Sequence, residues 1–261
     1  MKLKERIFNP LNHMIFSAGF WLLVLTLVST TSLYLPTEIT VSNNTTKREL
    51  PIYCVETEKP QVALSFDAAW GNEDTGQILD ILAKHNVHVT FFMTGGWVET
   101  YPDDVKAIAA AGHDLGNHSE NHKHMSELTS SECKEEIMKV HEKVKSLTSQ
   151  EMCLFRPPYG DYNNTLIQTL DSLNYYPIQW DVDSLDWKNY GVNSIIDKVV
   201  NNKNLGNGSI ILMHNGAKYT ADALDAIICG LKEKGYEIVP ISQLIIRENY
   251  TIDANGRQKA N

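Results

Sequence analysis

Five short polar clusters follow apolar runs that have the pattern of β-strands. They are Ser65-Phe66-Asp67, His118 to His122, Arg156 to Gly160, Trp180 to Trp187 and Met213-His214-Asn215. In a β/α barrel the carboxyl ends of all the parallel strands open at one mouth, so residues far apart in the chain can meet in one pocket. The clusters therefore predict an active site assembled from several strand ends.

Two imidazoles in the second cluster could hold a divalent cation. His118 and His122 are four residues apart, so on one helical turn their ring nitrogens face the same side. A solvated, histidine-rich turn would show the same spacing, and His124 follows two residues later. The position directly after a predicted strand favours the metal site.

Two further pairs of residues suit proton transfer. Asp67, at the end of its predicted strand, is a candidate general base, although aspartate is equally typical of a strand-end turn. Arg156 offers a planar fork of donors that could clamp the ionised carboxylate of Asp67. His214 is a candidate general acid for an amine leaving group, provided that Asp186 keeps it protonated. A base and an acid on opposite walls of one pocket indicate hydrolysis.

The backbone and the aromatic residues beside these groups suit a substrate with flat faces. Two prolines restrict the chain before Tyr159, which could aim a peptide N–H at a developing oxyanion. Trp70, Trp180 and Trp187 could stack on sugar rings. Packing in the core is the competing interpretation, and it is stronger for Trp180 than for Trp187.

The elements that must position these clusters alternate between strand and helix patterns. Strands are predicted at 62–66, 88–93, 114–116, 154–155, 176–179, 210–213 and 237–239, and helices at 75–85, 102–111, 130–147, 163–172, 192–200 and 221–234. This alternation predicts an α/β protein with a parallel sheet. One β/α pair is missing from a complete eight-unit barrel, so we expect an incomplete barrel with an open groove.

The N-terminal segment has the pattern of a membrane anchor. Residues 1–13 are basic, and residues 14–35 contain no charged side chain and are long enough to cross a bilayer. The basic flank predicts that residues 1–13 are cytoplasmic and that the catalytic domain is extracytoplasmic. A cleaved signal peptide, with secretion, is the alternative, although residues 29–34 offer no clear Ala-x-Ala site. We expect a tether at 36–60, a catalytic domain at 61–246 and a tail at 247–261.

Charge and cysteine content limit the partners. The formal net charge of −9 argues against nucleic acid as a partner. The four cysteines, Cys54, Cys133, Cys153 and Cys229, show no Cys-x-x-Cys spacing, so we expect buried thiols, with a disulfide as the alternative outside the cell. We expect a monomer.

Five ordered motifs resemble those of the NodB-type polysaccharide deacetylases, carbohydrate esterase family 4. They are Ser-Phe-Asp at 65–67, His-Ser-x-x-His at 118–122, Arg-Pro-Pro-Tyr-Gly at 156–160, Asp-Ser-Leu-Asp-Trp at 183–187 and Leu-Met-His at 212–214. The resemblance covers about residues 60–245. It implies a single-domain, distorted (β/α)7 barrel that removes acetyl groups from the N-acetylated sugars of peptidoglycan or chitin-like glycans with a divalent metal, usually zinc.

The matching positions also imply roles for individual residues. The resemblance makes Asp67 the base, Arg156 its clamp, His214 the acid, Asp186 the partner of His214, His118 and His122 the metal ligands, Tyr159 the donor of the oxyanion N–H, and Trp187 and Leu212 the lining of the acetyl pocket.

The first motif departs from the family pattern at one position. The family usually has a second aspartate after the base, which is its third metal ligand, whereas this chain has Ala68. A methyl group cannot coordinate a metal, so we expect the metal to be weakly held or absent, unless Asp67, Glu73 or Glu120 substitutes as the third ligand. The stretch at 68–72 and the N-terminal segment resemble the membrane-anchored, sporulation-associated branch of the family.

Three functions remain open at this point. The leading one is metal-dependent removal of acetyl groups from cell-wall glycan. The alternative is a catalytically impaired protein that binds glycan or assists wall assembly. A glycosidase that uses Asp67 and Asp186 as its two carboxylates is the third, and the paired histidines make it the weakest.

Overall fold

The computed structural model describes Ser17, residues 20–23 and residues 48–261. Residues 1–47 and 48–261 form separate compact units. In the described part of the chain, no helix is both long and apolar enough to cross a bilayer. Apart from Ser17 and residues 20–23, the predicted span at 14–35 lies outside the described residues, as do the basic segment at 1–13 and the first part of the tether.

A parallel sheet is the centre of the second unit. Its strands are β2 Gln61–Ala68, β3 Thr90–Met93, β4 Asp114–Asn117, β5 Leu154–Phe155, β6 Tyr176–Pro177, β7 Val182–Asp183, β8 Ile210–His214 and β9 Glu237–Ile238. The order is β6-β5-β4-β3-β2-β8-β7, and β9 pairs with the start of β2. Every pairing is parallel. The α/β class and all the predicted strands are confirmed, and the sheet has two edges, β6 and β7.

Helices connect the strands, as the alternating pattern predicts. They are α1 Thr75–His85, α2 Gly95–Thr100, α3 Pro102–Ala110, α4 Ser130–Thr148, α5 Asn164–Ser172, α6 Val192–Val200, α7 Thr220–Glu233 and α8 Ile241–Leu244. Local chemistry fixes several starts. Thr129 and Glu132 form a reciprocal capping box before α4, and the side chain of Asn163 accepts the Leu166 N–H at the start of α5.

The register of the sheet determines which side chains meet. Asp67 on β2 lies opposite His214 on β8, and Asn117 on β4 lies opposite Phe155 on β5. Because side chains alternate along a strand, Asp67 points away from the helix-covered core that receives Phe66. The residues that follow these strand ends therefore lie at one edge of the sheet.

A second, smaller sheet corrects the domain boundaries expected from the sequence. It consists of β1 Cys54–Val55, β10 Tyr250–Ile252 and β11 Arg257–Ala260, in the order β1-β11-β10. Residues 48–60, expected as tether, and 247–261, expected as tail, therefore belong to the folded unit. Their strands have two to four residues, too few for a periodic pattern to identify.

The cysteines are all free thiols. Cys54 and Cys133 are buried, as expected, whereas Cys153 and Cys229 are partly exposed. The alternative of a disulfide is not found.

Candidate active site

Asp67 and Arg156 form a buried ion pair at the end of β2. One guanidinium nitrogen of Arg156 lies 2.7 Å from Oδ1 of Asp67, and another donates to Oγ of Ser65 at 2.7 Å. The guanidinium also lies 4.2 Å from the ring centroid of Phe92. Burial alone would raise the pKa of Asp67, but Arg156, His118 and His214 together outweigh it and hold that pKa below its usual range. The predicted clamp is therefore present, and Asp67 is ionised at neutral pH.

The two histidines of the second cluster lie beside this ion pair. Nδ1 of His118 is hydrogen-bonded to the backbone oxygen of Arg156 at 2.7 Å, and its Nε2 lies 3.5 Å from Oδ2 of Asp67. The ring centroids of His118 and His122 are 4.9 Å apart. Burial, followed by the neighbouring His118, lowers the pKa of His122 to about 4. Both rings are neutral near pH 7, the state in which imidazole binds a metal.

The backbone around these histidines differs from the helical turn on which the spacing argument rested. Ser119 and His122 both have left-handed φ values, of 65° and 53°, so the segment is an irregular turn. Asn117 stabilises it through its side-chain oxygen, which accepts the Ser119 N–H at 3.0 Å. The rings still meet, because the turn brings them together without a helix.

His214 and Asp186 form a second pair of charged groups, on the strand next to that of Asp67. Nδ1 of His214 lies 2.7 Å from Oδ1 of Asp186, and the other carboxylate oxygen accepts the His214 N–H and the hydroxyl of Thr220, each at 2.7 Å. Burial alone would lower the pKa of His214, but the hydrogen bond and charge of Asp186 raise it above its ordinary value. Sequence reasoning missed Thr220, because nothing in its neighbourhood marks the start of α7 as part of the site.

Exposed aromatic rings surround the entrance. Trp70 lies with its ring centroid 5.5 Å from that of His122 and 6.3 Å from that of His214. Tyr159 is 62% exposed and Trp187 is 53% exposed. The backbone of Tyr159 has a φ of 60°, which non-glycine residues rarely adopt. Trp70 and Tyr159 thus present exposed aromatic rings beside His122.

Two other predicted residues lie deeper. Trp180 is half-buried, 5.7 Å from the guanidinium of Arg156, and Leu212 is buried. Beside His122, a cavity of about 390 Å³ is lined in part by Trp97, Tyr101 and Asn121. It adjoins His122 and is large enough to receive a polar group of a ligand.

Ala68 occupies the position of the missing carboxylate. Its side chain is fully buried in the apolar core cluster. Of the suggested outside substitutes, Glu73 accepts the Asn72 N–H at 3.1 Å, and Glu120 pairs through Oε1 with Lys143 at 2.5 Å while its Oε2 is buried without a hydrogen-bond partner among the described residues. Asp67 is the carboxylate that contacts His118.

Comparison of the sequence with known proteins gives matches to one family. The polysaccharide deacetylase family model matches residues 55–178. A peptidoglycan-N-acetylglucosamine deacetylase of Bacillus cereus is 36% identical over 190 residues, which cover 71% of this chain and 68% of that protein. The peptidoglycan-N-acetylmuramic acid deacetylase PdaA of Bacillus subtilis is 32% identical over 200 residues, 75% of each chain. Some other relatives are longer, and the chain spans 40% to 60% of their length.

A solved structure shares the fold as well as the sequence. The crystal structure of BA3943 from Bacillus anthracis, described as a CE4 family pseudoenzyme, superposes with a TM-score of 0.72 at 33% identity, over 81% of this chain and 73% of that one. Such identity over most of both chains exceeds a mere likeness of fold. The chain therefore belongs to the polysaccharide deacetylases of carbohydrate esterase family 4.

Proposed function

We propose that this protein hydrolyses the N-acetyl groups of cell-wall peptidoglycan and releases acetate. One observation carries the proposal: a carboxylate clamped by Arg156 and an imidazole held by Asp186, whose pKa is raised, lie at paired positions of neighbouring strands, and His118 lies beside that carboxylate. Amide hydrolysis needs both, since water must lose a proton and the leaving amine must gain one. The names of the Bacillus cereus and Bacillus subtilis relatives support peptidoglycan as the substrate.

Asp67 is the proposed base and His214 the proposed acid. Asp67 has one oxygen paired with Arg156, which leaves Oδ2 to accept a proton from water. His214 is bonded to Asp186 through Nδ1, so its Nε2 is the nitrogen that donates to the leaving amine. The backbone N–H of Tyr159 is the proposed donor to the developing oxyanion.

The donors that remain around the histidines fit a divalent metal, for which we propose zinc. The hydrogen bond from Nδ1 of His118 to a backbone oxygen leaves Nε2 as its ligand atom. His118, His122 and Oδ2 of Asp67 would hold the metal, because Ala68 supplies no donor. When bound, a metal polarises the acyl oxygen and makes coordinated water more acidic. Asp67 would then serve both as ligand and as base.

The aromatic residues position the sugar. Trp70 and Trp187 provide exposed faces on which a pyranose can stack, and Leu212 and Trp187 line the proposed pocket for the acetyl methyl group. We expect these contacts to hold the substrate and the transition state equally. Their loss should therefore raise KM more than it lowers kcat.

Acetate release from peptidoglycan and from N-acetylglucosamine oligomers tests the proposal, with zinc, cobalt or manganese supplied. The wild type should release acetate, and Asp67→Asn and His214→Ala should lower the rate at least about 10²-fold, the usual contribution of one acid or base. Asp197→Asn is the control, since that carboxylate lies on α6 and bonds only to Asn201 among the described residues. Failure of the wild type with every glycan and metal would refute the proposed activity.

Ala68 favours a second candidate, a protein that binds wall glycan without turning it over. The related BA3943 is described as a pseudoenzyme, and a mutant of it as having restored enzymatic activity. Binding of N-acetylglucosamine oligomers with no acetate release, unaffected by Asp67→Asn, would select this candidate.

The cellular location is a further part of the proposal. A span at 14–35 after the basic residues 1–13 would hold the domain outside the cytoplasm, where peptidoglycan lies. A role in spore formation has its support in the resemblance of residues 68–72 and of the N-terminal segment. Protease treatment of intact protoplasts should degrade the domain. Full protection would place it in the cytoplasm and contradict the proposed location.

A further inference from the structure

A second group of metal-ligating side chains lies away from the proposed active site. His85, Asp225 and Cys229 each offer one ligand atom, and the three atoms lie within 4.8 Å of one another. Nε2 of His85 is 2.8 Å from Oδ1 of Asp225. The set combines nitrogen, oxygen and sulfur donors, which is typical of zinc and of related transition metals.

Two packed helices bring these residues together. His85 is the last residue of α1, whereas Asp225 and Cys229 are one turn apart on α7 and face the same side of it. In a β/α unit the helix begins near the mouth and ends at the opposite end of the sheet. Since α1 follows the strand that carries Asp67, His85 lies towards the far end of the molecule from that residue.

The surroundings of the group already attract cations. The ammonium of Lys84 lies 2.6 Å from Oδ1 of Asp225, and that of Lys232 donates to the backbone oxygen of His85 at 2.9 Å. Both contacts are at the C-terminal end of α1, where the helix dipole favours positive charge. The hydrogen bond from Lys84 lowers the pKa of Asp225, so this carboxyl is ionised at neutral pH.

A metal ion must compete with Lys84 for Asp225. The side chain of Lys84 is 64% exposed, so it can swing into water without opening the core. Exposed ion pairs of this kind contribute little to stability. The imidazole of His85, in contrast, is only 15% exposed and is already oriented towards Asp225. The competitor is therefore mobile and the ligands are largely preorganised.

We propose that His85, Asp225 and Cys229 form a binding site for a single zinc-like divalent cation that links α1 to α7. Tetrahedral coordination needs ligand atoms roughly 3.3 to 3.6 Å apart, so the His85–Asp225 contact opens slightly and the thiol moves in. The Cys229 thiol releases its proton to water, His85 binds through Nε2 with its proton on Nδ1, and water is the fourth ligand. The site is structural and separate from hydrolysis.

Cobalt(II) is the probe, because a thiolate ligand gives an intense near-ultraviolet charge-transfer band that imidazole and carboxylate ligands do not give. The full chain, kept reduced, should show this band with two equivalents of cobalt, since the proposed active site takes one. Cys229→Ser should abolish it. Cys153→Ser is the matched control, since Cys153 is also a partly exposed free thiol and should leave the band intact. The double variant His118→Ala/His122→Ala should also retain the band, which separates this site from the active site.

Removal of the competing cation gives a test that does not weaken the fold. Lys84→Ala should tighten cobalt binding at least threefold, whereas a merely structural role of the cluster predicts no change. Zinc should raise the unfolding temperature of His118→Ala/His122→Ala, which keeps only this site, and should no longer do so once Cys229→Ser is added to that variant. Absence of the band in the wild type, its survival in Cys229→Ser, or unchanged affinity in Lys84→Ala would overturn the proposal, whatever the result of the acetate assay.

Discussion

At the scale of single residues, Arg156 contributes both to the stability of the fold and to the proposed reaction. It is completely buried, and its guanidinium bonds Asp67 and Ser65 at the same time. Lysine carries one compact ammonium and cannot reproduce that fork. We expect Arg156→Lys to lower the free energy of unfolding by about 2–4 kcal/mol, because Asp67 is left incompletely paired in a buried position.

Acetate release and thermal unfolding, measured on the same preparation, check this prediction. The rate for Arg156→Lys should fall about 10²-fold, as for loss of the base itself. The exposed Arg247→Lys is the control. Wild-type activity in Arg156→Lys would mean that the ionised state of Asp67 needs no guanidinium.

Ala68 is the residue at which the sequence most clearly departs from its family. Its methyl group lies in the apolar cluster, so Ala68→Asp places a carboxylate where water does not reach. Without metal we expect a loss of about 1–3 kcal/mol in the free energy of unfolding. With zinc the new carboxylate has a partner, and metal retention during dialysis should increase at least about tenfold.

Ala68→Asn shows whether the charge of the new side chain or only its size is responsible for the effects of Ala68→Asp. It should destabilise the metal-free protein comparably but gain no zinc retention, since a neutral amide is a poor zinc ligand. Equal zinc retention by wild type and Ala68→Asp would show that another group, such as Asp67, already fills the third ligand position.

The acid and base predict the pH dependence of the reaction. The pKa of Asp67 is held below its usual range by Arg156, and the pKa of His214 is raised by Asp186. Activity should therefore fall on the acid side only below about pH 4, and on the alkaline side only above about pH 6.5, the ordinary values of the two groups.

The raised pKa of His214 also makes the stability of the folded state depend on pH. Protonated His214 stabilises the folded state. This contribution is complete below the pKa of the unfolded state, about 6.5, and is lost as the pH rises through the raised pKa of the folded state.

Asp186→Asn should move the alkaline limb of the rate profile to lower pH. An unchanged limb would remove His214 from the acid role.

At the scale of elements, the start of α7 holds the acid in place. The hydroxyl of Thr220 donates to Asp186 at 2.7 Å, and Asp186 in turn orients His214. Thr220→Val preserves the shape and removes the donor. We expect kcat to fall several-fold with KM unchanged, and the alkaline limb to shift, because Asp186 loses a partner that fixes its orientation.

Thr148→Val provides the comparison for this prediction. The Thr148 hydroxyl donates to the backbone oxygen of Val144 at the end of α4 and accepts the Gln150 N–H, so these bonds involve no residue of the proposed site. It should leave the rate and the pH profile unchanged. A change in KM alone for Thr220→Val would indicate a substrate contact and contradict the positioning role.

The elements also show where sequence reasoning succeeds. The strands at 61–68 and 210–214 were predictable because four or more consecutive buried residues leave a strong apolar pattern. The six-residue α2 was missed, since two glycines at its start are poor helix formers. The histidine turn was predicted with the right residues and the wrong backbone, because spacing alone does not distinguish a helix from a turn with positive φ values.

At the scale of the whole molecule, the C-terminal strands pair with the first strand of the folded unit. β11 pairs in parallel with β1, and the side chain of Gln258 is fully buried. No pattern in the sequence predicts this pairing, because the partners are about 200 residues apart and each strand is very short. The candidate site was predictable from ordered motifs, whereas this closure depends on tertiary contacts alone.

Gln258 allows that closure to be tested with one substitution. Its side-chain oxygen accepts the Ile246 N–H at 2.8 Å, and its side-chain nitrogen donates to the Ile246 backbone oxygen at 2.7 Å. Gln258→Ala leaves both backbone groups without this partner, so we expect a loss of about 1–3 kcal/mol in the free energy of unfolding, read from denaturant titration. Lys259→Ala, on the same strand but partly exposed, should cost less than about 1 kcal/mol. If Gln258→Ala unfolds like the wild type, the C-terminal strands add nothing to the domain, and the boundary near residue 246 expected from the sequence is the functional one.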